Sequence, residues 1–204
     1  KFAAKLIELL PRLSKVFFSN SGSEANEKAF KVVRQLSHID PDRQGKYKIL
    51  FRARDYHGTT LGALSAGGQW ERKQDFGPFL EGFVEFPHML CYRCPLGKSY
   101  PGCEIDCARS LEELILKEGP DTVGGCIVEP IVAGGGVMVP VPEYYPILQA
   151  ICRKYGVFLI MDEVVCGFGR TGKFWGHEHY DADPDIITMA KGLASSYMPL
   201  SATV

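Results

Sequence analysis

The chain has 204 residues, of which 46% are hydrophobic and 23% are charged, and its formal net charge is −1. This balance is typical of a globular protein with a substantial core, and it favours neither nucleic acid nor an anionic membrane as a partner. The longest strongly apolar run, Val157–Met161, is far too short to span a bilayer. No signal-peptide pattern opens the chain, so we expect a cytoplasmic protein.

Short apolar runs alternate with longer amphipathic segments along the chain. An amphipathic helix opens it and should end near Pro11, and a second helix is predicted over Ser23–Leu36. The further predicted elements are, in chain order, the strands Lys48–Phe51 and Gly82–Phe86, the helix Cys107–Lys117, the strand Gly124–Pro130, the helix Glu143–Tyr155, and the strands Val157–Glu163 and Asp185–Lys191. The alternation predicts an α/β fold in one domain, with a mainly parallel sheet and helices on both faces.

The seven cysteines are too few and too scattered for a disulfide framework in a chain of this size, so we expect reduced thiols. Four of them, Cys91, Cys94, Cys103 and Cys107, form the pattern C-x2-C-x8-C-x3-C in one loop. That spacing is compatible with zinc or an iron–sulfur cluster, and also with a Pro- and Gly-rich surface loop. We predict no metal site and keep this four-cysteine loop as the alternative functional site.

Polar residues that directly follow the predicted strands are candidate site residues, because ligands of open α/β sheets bind beyond the carboxyl ends of the strands. They are Arg54–His57, Glu129, Asp162, Glu163 and Lys191. An acid at the end of a buried strand, such as Asp162, requires a cation nearby. Lys191 is either a solvated loop residue or, in a crevice, an amine that can attack a carbonyl group.

The start of the second helix is a candidate phosphate site. Ser21-x-x-Glu24 has the pattern of a capping box, which alone predicts only a helix start. Ser21, Gly22 and Ser23 also offer hydroxyls and free N–H groups at the positive end of a helix, which suits a phosphate. The segment is not a Walker loop, and no G-x-G-x-x-G follows the first strand.

Together these features match the needs of pyridoxal 5′-phosphate. The helix start would anchor the phosphate, Tyr56 would stack on the ring, Asp162 would face the protonated ring nitrogen, and Lys191 would supply the amine. The cation that Asp162 requires is then a pyridinium. Each feature alone has an ordinary structural explanation, but their order along one α/β chain favours the cofactor.

With these residues in view, the sequence resembles the class III, fold-type I pyridoxal-phosphate aminotransferases. The motifs that carry the resemblance are SNSGSEANEKAFK (Ser19–Lys31), DYHGTTLGALS (Asp55–Ser65), VEPIVAGGG (Val128–Gly136), MDEVVCGFGRTGKFWGHEHY (Met161–Tyr180) and PDIITMAKGLASSYMPLSA (Pro184–Ala202). They follow one another in the family's order over essentially the whole chain. The resemblance implies a three-layer fold-type I large domain with a mainly parallel sheet.

The resemblance also implies roles for individual residues. The expected catalytic residues are Lys191, which would carry the cofactor covalently and move a proton, and Asp162, which would pair with its ring nitrogen. The other expected cofactor contacts are the phosphate ligands Ser21, Gly22 and Ser23, the ring-stacking residues Tyr56 and Val164, and the pocket residues His57 and Glu129.

Two departures from the family pattern bear on the substrate. Members that use 2-oxoglutarate resemble E-P-x-x-x-E where this chain has Gly134 as the last residue, and they commonly have Gln where it has Val165. Both favour the ω-amine:pyruvate branch, and the four-cysteine loop is most similar to its taurine–pyruvate members. The implied reaction moves an amino group from an ω-amine or ω-amino acid, such as taurine, to pyruvate, giving an aldehyde and alanine.

Other reactions stay open at this stage. Class III members also decarboxylate or shift an amine within the substrate, and a transaminase that uses 2-oxoglutarate is a further alternative. A more distant one is a metal-binding or catalytically silent scaffold built on the four-cysteine loop, although the presence of both Lys191 and Asp162 argues against silence.

The family resemblance finally implies an assembly and partners. Residues 1–204 would be the cofactor-binding core of the large domain, with an N-terminal segment and a small C-terminal domain outside it. The partners would be a small-molecule amine donor and a keto-acid acceptor, and the enzyme would be a homodimer or homotetramer.

Overall fold

A seven-stranded sheet organises the chain, and the computed structural model describes all residues from 1 to 204. Its strands are β1 (Phe17–Ser19), β2 (Lys48–Arg52), β3 (Phe83–Phe86), β4 (Val123–Val128), β5 (Phe158–Asp162), β6 (Ile186–Met189) and β7 (Ser201–Thr203). In space they follow the order β1-β7-β6-β5-β4-β2-β3. The ladder from β6 to β3 is parallel, and β7 is antiparallel to both of its neighbours. The prediction of a mainly parallel α/β sheet is confirmed.

The α-helices are α1 (Phe2–Leu9), α2 (Gly22–Ile39), α3 (Leu61–Ser65), α4 (Asp106–Glu118) and α5 (Tyr144–Tyr155). The four predicted helices correspond to α1, α2, α4 and α5. The sequence analysis did not predict α3, β1 or β7, because segments of three to five residues are too short for a periodic apolar pattern to stand out. None of the helices combines the length and apolarity needed to cross a membrane.

Both faces of the sheet are buried, because successive strand residues point to opposite sides. On one face, α2 packs against a cluster of strand residues, namely Ile49, Phe51, Ile127, Ile160 and Ile186. On the other face, α4 and α5 cover the alternate positions, namely Leu50, Cys126, Val128, Leu159, Met161 and Ile187. The sheet is therefore the middle of three layers, which explains why its strands are apolar at nearly every position.

The interior strand β4 approaches its surroundings most closely at Gly124. A Cβ atom there would lie 2.2 Å from the main-chain oxygen of Lys46 and 2.7 Å from Cγ1 of Val33. At the next residue, Gly125, the nearest atoms are side-chain ends at 3.1 to 3.4 Å. The two adjacent glycines therefore differ in what surrounds them, since a backbone atom yields far less than a methyl group.

We expect Gly124→Ala to lower the free energy of unfolding by about 3 kcal/mol, because overpacking against a fixed backbone forces the strand to shift. Gly125→Ala is the matched control, and we expect it to cost less than about 1.5 kcal/mol because side-chain ends can move. Urea unfolding followed by circular dichroism measures both values. Equal losses in the two variants would show that β4 does not pack as described.

Candidate active site

The carboxyl ends of four adjacent strands meet at one cavity. Lys191 follows β6, Asp162 ends β5, Glu129 follows β4, and Tyr56 and His57 follow β2. The cavity has a volume of about 450 Å³, which lies in the usual range for small-molecule sites. Its lining includes every expected catalytic residue and cofactor contact: Ser21, Gly22, Ser23, Tyr56, His57, Glu129, Asp162, Val164 and Lys191. Arg54, Asp55 and Glu163, which were candidates by position only, do not line it. The fold thus brings these residues together.

Asp162 is the most heavily bonded polar group of the cavity. Its side chain is almost completely buried. Oδ2 accepts hydrogen bonds from Asn26 Nδ2 at 2.8 Å and contacts His57 Nδ1 at 2.8 Å. Oδ1 accepts a bond from the main-chain N–H of Val164 at 3.0 Å. Three donors around one carboxylate stabilise its ionised form, so Asp162 presents a negative charge at the floor of the cavity.

His57 lies directly behind this carboxylate, and its side chain has no exposed surface. Burial by itself lowers the pKa of His57, but the hydrogen bond and charge of Asp162, with the charges of Asp55 and Glu129, reverse this effect. The pKa of His57 therefore lies above its ordinary value. Its other ring nitrogen, Nε2, is buried without a hydrogen-bond partner.

Glu129 joins two loops at the rim of the cavity. Its Oε1 accepts a bond from the main-chain N–H of Tyr56 at 2.8 Å, and its Oε2 accepts one from Ala133 at 3.0 Å. Burial, followed by the charges of Asp55 and Asp162, raises the pKa of Glu129 to about 8. Glu129 therefore titrates near neutral pH while it holds Tyr56 in place.

The start of α2 has the geometry of an anion site. Ser21 caps the helix by accepting a bond from the N–H of Glu24 at 3.2 Å, as predicted. The Glu24 carboxylate returns to the N–H of Asn20 at 2.7 Å, one residue earlier than in a standard capping box. The N–H groups of Gly22 and Ser23 take part in none of the main-chain hydrogen bonds outside the regular elements. They remain available at the positive end of an 18-residue helix.

Small residues keep this corner of the cavity open. A Cβ atom on Gly22 would lie 3.1 Å from both methyl carbons of Val164. At Gly58, which has φ +136°, a Cβ atom would lie 2.2 Å from Oγ of Ser23. Ser23 Oγ accepts a bond from the N–H of Thr59 at 3.0 Å, which fixes the loop after β2 to the start of α2.

Lys191 is solvent-exposed at the open side of the cavity. It begins a 3-10 turn, Lys191–Leu193, with φ +38°, and Ser195 and Ser196 also have positive φ angles of +49° and +60°. Non-glycine residues in this region are strained. The loop that they shape returns over the cavity and contributes further lining residues: Ser196, Tyr197, Met198, Pro199 and Leu200.

Several site residues were missed by the sequence analysis. The most important is Asn26, whose amide donates to both Asp162 and the main-chain oxygen of His57 at 2.7 Å. A signal for it existed: Asn26 occupies the apolar stripe of α2 with Ala29, Phe30 and Val33, at spacing i, i+3, i+4 and i+7. A polar residue in such a stripe needs a buried partner.

The four-cysteine loop lies elsewhere, around a cavity of only about 20 Å³. All four thiols are free, and burial, followed by the neighbouring thiols, raises the pKa of Cys107 to about 11. No group of three or more His, Cys, Asp or Glu side chains is placed to hold a metal ion. The metal hypothesis for this loop gains no support from the geometry.

The fold has three layers around a mainly parallel sheet, and an acid, an amine and an open helix start meet in one cavity at the strand ends. This is the arrangement of a fold-type I pyridoxal-phosphate transferase. The family model for aminotransferase class-III matches residues 1–204. The chain belongs to the class-III aminotransferase family.

Relatives and solved structures agree with this assignment. The chain is 55% identical over its full length to the taurine–pyruvate aminotransferase of Bilophila wadsworthia, and covers 44% of that protein. It is 51% identical to the hypotaurine/taurine–pyruvate aminotransferase of Paracoccus denitrificans, covering 100% of this chain and 44% of that one. A crystal structure of a thermostable ω-transaminase mutant from Pseudomonas jessenii superposes with a TM-score of 0.93 at 41% identity, over 99% of this chain and 45% of that chain. The chain thus spans less than half the length of these relatives.

Members of this family depend on pyridoxal 5′-phosphate, and the residues present fit it. The free N–H groups of Gly22 and Ser23 suit the phosphate, and the absence of a Cβ at Gly22 leaves Val164 close to the helix start. Asp162 offers a buried carboxylate for a protonated ring nitrogen. The cavity has the volume of a cofactor site, with an amine at its open side.

We expect Asn26→Ala to lower the free energy of unfolding by about 3 kcal/mol, because it removes one of the three donors to the buried Asp162 carboxylate and the side-chain donor to the main-chain oxygen of His57. Ser37→Ala is the matched control on the same helix. Ser37 is also buried, but its hydroxyl donates to the main-chain oxygen of Arg34 within α2 itself, so the substitution breaks no contact with another element. That control should cost no more than about 1.5 kcal/mol. Chemical denaturation of both variants checks the difference, and an Asn26→Ala loss no larger than that of the control would contradict the role of Asn26.

Proposed function

We propose that this chain forms the cofactor site of a transaminase that moves an amino group from an ω-amine or ω-amino acid to pyruvate. The products would be an aldehyde and alanine, and taurine is the donor that we would test first. The single observation that carries this proposal is the convergence of Asp162, Lys191 and the start of α2 on one cavity.

Each of these groups has a chemical role in the proposed reaction. Pyridoxal phosphate, when bound, supplies a protonated ring that accepts the electrons released at the substrate carbon. Asp162 would hold a negative charge toward the ring nitrogen, and Lys191 would hold the cofactor and supply the amine that moves a proton. Tyr56 and Val164 would bracket the ring, and Gly22 and Ser23, with Ser21 beside them, would bind the phosphate.

The choice of pyruvate is supported by the surroundings of Gly134. A side chain at this position would meet Nε2 of Gln69 at 3.1 Å, so a neutral amide occupies the space next to Tyr56. Gln69 in turn accepts a bond from Arg72 Nε at 2.6 Å. Residue 134 is a glycine and offers no carboxylate that could pair with an arginine. Val165 adds an apolar side chain to the cavity lining. The relatives named for taurine and pyruvate favour the same choice.

The assembly belongs to the proposal as well. Residues 1–204 would be the cofactor-binding core of the large domain of a longer chain, since the relatives are more than twice as long. Tyr197 and Met198 at the cavity rim are 94% and 62% exposed, which favours a homodimer or homotetramer that covers them. A cytoplasmic location is proposed on the sequence alone.

The cofactor assignment predicts a visible absorption band when the protein is mixed with pyridoxal phosphate. Borohydride reduction should then label one peptide, the one that contains Lys191. Lys191→Ala should abolish the label, since no other lysine amine lines the cavity. The control is Lys173→Ala, which should leave the label intact. The exposed Lys173 amine donates to the main-chain oxygen of Glu178, and neither residue lines the cavity. Labelling of a different lysine in the unmodified protein would refute the assignment.

The substrate assignment predicts that alanine forms from pyruvate when taurine or another ω-amine is the donor. The rate with pyruvate should exceed the rate with 2-oxoglutarate at equal concentrations. Chromatographic measurement of alanine and glutamate decides between the acceptors. A faster reaction with 2-oxoglutarate would overturn the choice of pyruvate, and carbon dioxide release from an ω-amino acid that carries a carboxylate, without aldehyde or alanine, would indicate a decarboxylase.

A further inference from the structure

Behind the cavity lies a row of four buried ionisable side chains, of which the proposed reaction uses only Asp162 directly. Arg52, at the end of β2, pairs with Asp55 at 3.1 Å, and neither side chain has exposed surface. Asp55 Oδ2 lies 4.0 Å from Nε2 of His57, whose Nδ1 lies 2.8 Å from Asp162 Oδ2. The row therefore runs Arg52, Asp55, His57, Asp162 and ends at the cavity floor.

The protonation of His57 follows from its two neighbours. The 2.8 Å contact between Nδ1 and Asp162 requires a proton on one of the two groups. A proton on Asp162 conflicts with the N–H donors of Asn26 and Val164, which stabilise the anion. A neutral ring with Nδ1–H would leave the Nε2 lone pair facing the Asp55 carboxylate without a donor. An imidazolium places an N–H group toward each carboxylate.

The row is then an alternation of positive and negative charges with a net charge of zero. Such an arrangement offsets the cost of burying each charge, provided that all four members are present. Arg52 is held in turn by the main-chain oxygen of Glu129 at 2.6 Å and by the hydroxyl of Tyr145 at 3.3 Å. The end of the row farthest from the cavity is therefore anchored to β4 and α5.

We propose that Arg52, Asp55 and His57 form with Asp162 a buried row of alternating charges in which His57 stays protonated at neutral pH, and that Asp55 is a positioning residue for the reaction. The inference rests on the proposed function for its catalytic consequence only. Asp55 touches neither the cavity nor a reacting atom. It acts through His57, whose Nδ1 lies 2.8 Å from Asp162 Oδ2 at the place where the cofactor ring nitrogen would lie.

The other groups that face His57 are consistent with a cation. Glu129 follows β4 and adds negative charge, and it supports the same conclusion whenever it is ionised. Asn26 on α2 is neutral and donates to the main-chain oxygen of His57. Burial is the largest effect and opposes the charge on His57, but the hydrogen bond and charge of Asp162, with the charge of Asp55, outweigh it.

The test is ¹⁵N nuclear magnetic resonance of the purified protein labelled at histidine, recorded without added cofactor. The His57 signal is identified by its loss in His57→Gln. In the unmodified protein, both ring nitrogens of His57 should carry a proton at pH 7. In Asp55→Asn, the titration midpoint of His57 should fall by at least one pH unit, a tenfold loss of proton affinity, because the facing negative charge is gone.

Activity provides the second readout. The alkaline limb of kcat should move to lower pH in Asp55→Asn, so the loss is at least tenfold at high pH and is recovered on acidification. A purely structural defect would lower the rate at every pH. Asp185→Asn is the control. Asp55 Oδ2 accepts the main-chain N–H of Glu129 at 2.9 Å, and Asp185 likewise accepts that of Leu159 at 2.8 Å, but Asp185 directly precedes β6 and does not line the cavity. It should change neither the His57 signal nor the pH profile.

The outcomes separate this inference from the proposed function. A His57 that is neutral at pH 7 in the unmodified protein overturns the charge row, even if Asp55→Asn fails to fold. An unchanged His57 midpoint in folded Asp55→Asn overturns it as well. A protonated His57 in a protein that neither binds cofactor at Lys191 nor transfers amino groups would leave the row standing and remove the proposed function.

Discussion

The structure depends on one electrostatic constraint, the burial of a negative charge at the carboxyl end of β5. A carboxylate out of contact with water is stable only when donors surround it. Asp162 receives them from three parts of the chain: Asn26 on α2, His57 after β2 and the N–H of Val164 in its own turn. Each contact fixes a different element against β5, so the stabilisation of one charge also sets the shape of the cavity.

Glu163, the acid next to Asp162, has a different role, which explains why two carboxylates stand together at the end of this apolar strand. Glu163 turns away from the cavity and is completely buried. It accepts bonds from the N–H groups of Gly176 and His177, both at 2.9 Å, and contacts the His177 ring at 2.7 Å. Its own N–H bonds to the Thr188 oxygen at 2.8 Å, which continues the β5–β6 ladder. Asp162 therefore lines the cavity, whereas Glu163 stabilises the fold by binding the Gly176–His177 segment.

The buried ionisable groups around the cavity are paired or hydrogen-bonded, which offsets the free-energy cost of burying them. Glu129 holds the loop of Tyr56 while its pKa is raised to about 8 by burial and by Asp55 and Asp162. Arg52 balances the nearest of these acids and also binds the Glu129 main chain. The result is a floor that is rigid and charged, beside a helix start with free N–H groups. This combination suits the binding of a highly polar group at the edge of an apolar sheet.

Much of this could be predicted from the sequence, because the relevant information is local. The continuous apolar runs of β2, β4, β5 and β6 identified a buried parallel sheet, and the rule that ligands bind at strand ends selected polar residues of which Tyr56, His57, Glu129, Asp162 and Lys191 line one cavity. The short strands β1 and β7 and the helix α3 escaped, since elements of three to five residues carry no readable period. The sequence motifs indicated the class-III aminotransferase family, and the family model that matches residues 1–204 confirms it.

Only the tertiary structure decided which groups meet and in what state. Asn26 and Asp162 are separated by 136 positions in the chain, and His57 and Asp162 by 105. No periodicity links residues so far apart, because their contact depends on the order of strands and on the packing of α2 across them. The sequence by itself determined the longer elements, the family and the candidate residues. The fold determined the pairing of Asp162 with Asn26 and His57 and the buried link to Arg52, since proton affinity depends on distance and burial, which exist only after the chain has folded.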